Sequence, residues 1–68
     1  MTLGQRIKEI RQQKGYSTTE LANEVGVTRA MIVRYESDKA DPRVLTATCI
    51  ADVLGVSLDY LVKGEKIR

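Results

Sequence analysis

Apolar side chains recur along this chain at helical spacing, and short polar residues or glycine interrupt the pattern at regular intervals. Leu3, Ile7 and Ile10 fall at i, i+4 and i+7, while Arg6, Lys8, Glu9 and Gln13 lie off that stripe. The spacing predicts an amphipathic helix over about 3–14, closed by a left-handed cap at Gly15 after a cationic last turn. Ser17 with Glu20 three residues on matches a capping box, so a second helix starts there and stops at Gly26, with Leu21, Ala22 and Val25 inward. Thr28 caps a third helix over 29–36, with Ile32 and Tyr35 inward. After the turn-rich Ser37–Pro42, Asp41 reads as an N-cap with Pro42 at the first helical position. The fourth helix is then expected over about 42–54, with Val44, Ala47, Ala51 and Leu54 on its core side and Gly55 at its end. Ser57 caps a last short helix through Leu61 or Val62, and 63–68 are expected to form a loose tail. No alternation long enough for a strand, no repeat and no linker is present, so the fold class expected is all-α, a single five-helix domain over 1–68.

Composition narrows the chemistry. With 68 residues, one compact core is expected and no second lobe to frame a substrate cleft or carry an effector. Histidine is absent and Cys49 is the sole cysteine, which excludes a zinc finger and an internal disulfide. Cys49 reads as a small helix residue without chemistry, the sharper alternative being a redox-sensing thiol. There is no Gly-rich phosphate loop and no base to set beside a serine or cysteine, so an enzyme is rejected and neither cofactor nor small-molecule substrate is expected. No apolar run could cross a membrane and the first residues carry no secretory pattern, so the expected location is the cytoplasm. The net charge of +2 says little by itself; the placement of the charges says more.

The informative stretch is Thr18–Tyr35. Two short helices joined by a three- or four-residue turn containing Gly26 form a helix-turn-helix. Ala22 is small where the two helices would cross, and Gly26 can take the positive φ of a sharp turn. Val25, Val27, Ile32 and Tyr35 would fill the wedge between the helices, leaving Arg29, Ala30, Val33 and Arg34 on the outer side of the third. Such a face suits the major groove, where arginine bonds guanine bidentately and short apolar groups meet thymine methyls. Ser17, Thr18 and Thr28 sit at helix amino ends, where free N–H groups favour phosphate, and Lys39 and Arg43 flank the next loop. The bland reading of Arg29 and Arg34 is a solvated charged face.

These residues resemble the phage Cro and repressor type of helix-turn-helix, the XRE family. The resemblance rests on Leu3–Arg11, Lys14–Ser17, Glu20–Ala22, Gly26–Arg29, Ile32–Glu36 and Leu54–Leu61, and it covers nearly the whole chain. It implies a five-helix bundle of the phage-repressor DNA-binding domain type with the third helix as the reader. It implies roles at the DNA surface for Thr28, Arg29, Ala30 and Arg34; with Val33 added from the outer face, the base-reading candidates are Arg29, Ala30, Val33 and Arg34, and the phosphate candidates by position are Ser17, Thr18, Thr28, Lys39 and Arg43. It also implies a structural ion pair between Arg11 and Glu36. Family members commonly carry glutamine where this chain has Thr18; with the shorter hydroxyl, that bond to phosphate is absent, water-mediated or taken over by Ser17. Cro-like proteins dimerise around the last helix to read half-sites about 34 Å apart. Leu45, Tyr60, Val62 and Ile67 are therefore either partly exposed singletons or part of a dimer contact.

The partner expected is double-stranded DNA, a palindromic operator bound by a homodimer, and the function expected is transcriptional repression. The alternative is a helix-turn-helix protein-interaction module, such as an antitoxin or anti-repressor partner, with little or no DNA binding. Against it stand the two arginines where acidic residues would have marked loss of DNA binding, although Glu36 and Asp38 lie nearby. RNA binding is a weaker alternative, because no exposed aromatic platform is evident.

Overall fold

The computed structural model describes residues 1–64, and within them the chain folds into five α-helices without a strand: α1 (Leu3–Gln13), α2 (Thr18–Val25), α3 (Arg29–Glu36), α4 (Val44–Leu54) and α5 (Leu58–Lys63). Local sequence sets most of the boundaries. Ser17 and Glu20 exchange side-chain and backbone bonds in a capping box at α2, and Thr2 and Gln5 do the same at α1. The side chains of Thr28 and Ser57 each accept a backbone N–H from the first turn of α3 and α5. Such caps satisfy donors that a helix start leaves free, each worth about 0.5–2 kcal/mol. Gly26 closes α2 at φ 86°, a left-handed conformation that lets the chain reverse within three residues before α3.

The core forms where the apolar stripes meet. Ile7, Ile10, Leu21, Ala22, Ile32, Tyr35, Ile50, Ala51, Leu54 and Leu61 are all buried, joining every helix in one cluster. Val25, Val27 and Met31 are half-buried at its edge. α3 is held between α1 and α2, while α4 leans on α2 and α5 closes against α1 and α4. Ala22, 1% exposed, lies within this core beside α3.

Three expectations are corrected here. α4 begins at Val44 rather than Pro42, with Arg43 as an extended N-cap (ψ 162°) and no side-chain cap bond. Ala40 packs against the core and Pro42 is half-buried as well, so this segment is held against the domain before the helix begins. Val44 is 73% exposed although it shares the helical phase of Ala47 and Ala51. It occupies the first turn, which overhangs the core, and Ile50 supplies the bulk instead, at 0% exposure. Finally, Lys63 belongs to α5 and Gly64 caps it at φ 73°; the remainder of the expected tail, Ile67 included, lies outside the described residues.

Candidate nucleic-acid interface

The site is built on α3, whose two sides differ in kind. Around the helix, at about 100° per residue, Met31, Ile32, Tyr35 and Glu36 occupy one arc and Arg29, Ala30, Val33 and Arg34 the other. The first arc is buried or half-buried, with Ile32 at 0% and Tyr35 at 7% exposure. All four residues of the second arc are exposed. The helix is thus fixed from behind and open in front.

A polar clamp secures its carboxyl end. The Arg11 guanidinium of α1 donates through Nε to Glu36 Oε2 at 2.6 Å and through Nη2 to Oε1 at 3.1 Å. Its remaining Nη1 donates to the Tyr16 carbonyl at 2.9 Å, ahead of α2. Both charged side chains are 9% exposed, so neither can turn to water if the other is removed. This one ion pair therefore ties α1, the entry to α2 and the end of α3 into a rigid unit. A two-pronged guanidinium–carboxylate contact suits the task because both groups are planar.

Around that unit the phosphate candidates take up different positions. Ser17 is exposed; its oxygen accepts from Glu20 N at 3.0 Å, which leaves its O–H free to donate outward. Glu20 Oε1 in turn accepts from Ser17 N at 2.8 Å. That bond, with the Ser17 hydroxyl contact, holds the Glu20 carboxyl below its ordinary pKa. Thr18 is half-buried, and Thr28 is exposed with its hydroxyl accepting from Met31 N at 3.2 Å. Lys39 and Arg43 are both exposed on the segment between α3 and α4. Arg34 reaches the same segment, its Nη2 lying 3.5 Å from the Lys39 carbonyl.

An open cleft of about 390 Å³ lies among α1, the start of α2 and α3, lined by Lys8, Arg11, Thr18, Val33, Glu36 and Ser37. It brings Thr18 and Val33 together and adds Lys8, an exposed cation that periodicity places merely among the solvated residues of α1. A signal for it exists in the sequence: Lys8 precedes Arg11 by three positions, so a pair between Arg11 and the end of α3 brings Lys8 onto the same side.

The residues expected at a dimer contact are on α4 and α5. Leu45 is 81% exposed and Val62 47%, while Tyr60 is half-buried and packs against the core. Among the described residues no cluster of histidine, cysteine, aspartate or glutamate could hold a metal ion. No described helix is long and apolar enough to cross a membrane.

Comparison with known proteins agrees with this geometry. A helix-turn-helix family model matches residues 7–61. The chain is 44% identical over 61 residues to the SPbeta prophage-derived HTH-type transcriptional regulator YonR of Bacillus subtilis, covering 90% of this chain and 56% of that protein. It superposes on the P22 c2 repressor in complex with a synthetic operator with a TM-score of 0.91 and 28% identity, over 96% of this chain and 98% of the other. With SinR of Bacillus subtilis in complex with DNA the TM-score is 0.83 and the identity 36%, over 88% and 97% of the two chains. The chain spans about half the length of the curated relatives it matches. By family match, sequence identity and the arrangement of its five helices, the chain belongs to the XRE type of the helix-turn-helix family.

Proposed function

We propose that this chain is a sequence-specific reader of double-stranded DNA that represses transcription, with α3 in the major groove. The observation that carries the reading is the outer arc of α3: two arginines and two small apolar side chains, all exposed, on a helix whose opposite arc is locked into the core. Arg29 and Arg34 offer bidentate donors for guanine, and Ala30 and Val33 offer apolar contact for thymine methyls. Ser17, Thr28, Lys39 and Arg43 supply hydroxyls and cations for the phosphate backbone, which sets register without reading sequence. Thr18, half-buried at the start of α2, contributes through the cleft it shares with Lys8.

Repression acts by occlusion, since a duplex held along this face is closed to other proteins. Repressors among the relatives and neighbours support that direction of regulation. We assign the protein to the cytoplasm and the working form to a homodimer on a palindromic operator. Leu45, Val62 and the outer part of Tyr60 form its contact, because apolar side chains this exposed gain from being covered. Two copies related by a two-fold axis would present their α3 helices about 34 Å apart, one turn of the duplex.

Selection of bound duplexes from a randomised pool, followed by a salt titration of the winners, tests the reading. The expected result is an enriched palindrome whose binding weakens steeply with salt as phosphate counterions are released. A single unrepeated half-site would remove the dimer. No enrichment over bulk DNA would remove sequence reading altogether and transfer α3 to a protein partner.

A further inference from the structure

Asp38 stands out on three independent grounds. It is the one non-glycine residue among those described with a positive φ, 61°, a conformation that L side chains adopt at a cost. It lies in the turn directly after α3, and both oxygens of its carboxylate are engaged by the far end of the chain. Oδ2 accepts from the Thr2 hydroxyl at 2.5 Å and Oδ1 from the Gly4 N–H at 3.0 Å, across separations of 36 and 34 residues. Thr2 is at the same time the N-cap of α1, its oxygen accepting from Gln5 N at 3.1 Å. The carboxylate therefore sits on the positive end of α1 and takes up one of that helix's unpaired first-turn donors.

The approach is close because residue 4 has no side chain. A Cβ there would collide with the Tyr35 carbonyl oxygen and come within 2.7 Å of the Glu36 carbonyl oxygen. The last turn of α3 is thus seated on the first turn of α1, and Asp38 fastens the seat. The residue after Asp38 is tied to the reading face. Lys39 N donates to the Arg34 carbonyl at 2.9 Å, and the Lys39 carbonyl faces Arg34 Nη2 at 3.5 Å. The turn that Asp38 holds is therefore the turn that supports the Arg34 guanidinium and launches Lys39.

We propose that Asp38 is a positioning residue for DNA reading: by fastening the turn after α3 to the start of α1, it aims Arg34 at its base and Lys39 at the backbone. This rests on the reading of α3 as the DNA-contacting helix. A glycine at position 38 would take the same backbone more easily; what the aspartate adds there is its two bonds.

The test compares the full chain with Asp38→Gly and Asp38→Asn on the duplex enriched from a randomised pool. Gly4 amide chemical shift and thermal midpoint are recorded for each protein. Glycine relieves the backbone and deletes both bonds; asparagine tolerates the left-handed turn and keeps one carbonyl acceptor for Gly4. The expected order of affinity is wild type, then Asn, then Gly, with about a tenfold loss for Gly. Discrimination should narrow at the same base position that Arg34→Ala relaxes, at temperatures where all the proteins are folded. A role confined to stability would move the midpoint and leave discrimination untouched, and that result overturns the proposal. Wild-type affinity and discrimination in Asp38→Gly overturn it equally. Should the glycine variant not fold, wild-type affinity and unaltered discrimination in Asp38→Asn, which lacks the carboxylate, do the same. Failure of the wild-type chain to enrich any duplex overturns the DNA reading itself, a result distinct from all of these.

Discussion

The two ends of this molecule are held by different forces. From Thr2 to Asp38, polar contacts with defined direction are added to the shared apolar core: two capping boxes close helix starts, and the Arg11–Glu36 pair and the Asp38 clasp fasten one helix to another. From Arg43 to Gly64, α4 begins without a side-chain cap, no side-chain hydrogen bond crosses to another helix among the described residues, and apolar burial supplies the cohesion. Hydrophobic contact is non-directional, whereas a two-pronged ion pair fixes an angle. Under the proposed function, the polar end is the one whose helix meets DNA at fixed orientation. The apolar end needs only to be covered, and it leaves Val44, Leu45 and Val62 exposed.

The sharpest way to break this contrast is to remove one member of the buried pair. Glu36→Ala leaves the buried Arg11 side chain without its carboxylate, and about 3–5 kcal/mol of stability should be lost. That is a large share of what so small a domain possesses, and a denaturant titration followed by circular dichroism reads it directly. Replacing both partners with apolar residues of similar volume should recover much of the loss, because no charge is then stranded. An unchanged midpoint in Glu36→Ala would show that the pair is ornamental.

Gly4→Ala is the next test. Its methyl group meets backbone oxygens of α3 that cannot swing away, so α1 and α3 must separate, at about 1–3 kcal/mol. Amide shifts should move at Thr2, Gly4 and Asp38 and remain still in α5, which separates a local wedge from general loosening.

The smallest effects lie at the entry to α2. Ser17→Ala should cost about 1 kcal/mol, the value of a missing cap. The acid limb of that cap is separable with Glu20→Gln, which can still accept from Ser17 N. The pKa of Glu20 is lowered in the fold, first by the bond from the Ser17 backbone and then by its hydroxyl. Its ionised form thus favours the folded state above the unfolded pKa, and that contribution disappears as pH falls through the folded value. The wild-type midpoint should therefore exceed that of Glu20→Gln near neutral pH and converge with it in acid. Parallel curves at every pH would contradict this.

How far the residues disclose these features depends on the range of the contact. The caps at Ser17 and Thr28 and the turn at Gly26 are legible because each partner lies within four positions. The start of α4 is not, because Asp41–Pro42 carries a good local signal while the segment's packing, with Ala40 on the core and Pro42 half-buried, involves residues distant in sequence. Val44 misleads because helical phase tells which side a residue faces and not whether the core extends that far. The Asp38 clasp joins groups 34 and 36 residues apart and has no local trace except an aspartate in a turn. The Arg11–Glu36 pair comes from family resemblance; periodicity alone gives two charges on two helices. The outer arc of α3 is the complement of its inner arc, since Ile32 and Tyr35 fix the phase.

The most direct test of α3 as the reader is a pair of selections from one randomised duplex pool, one with the wild-type chain and one with Arg34→Ala. Arg34 is exposed and its removal should leave the fold intact, within about 0.5 kcal/mol. If α3 reads base edges, the variant should bind about 1–3 kcal/mol more weakly and lose preference at the base position that Arg34 reads, with the other positions kept. Identical preferences from the two proteins would contradict the assignment of α3 as the reading helix.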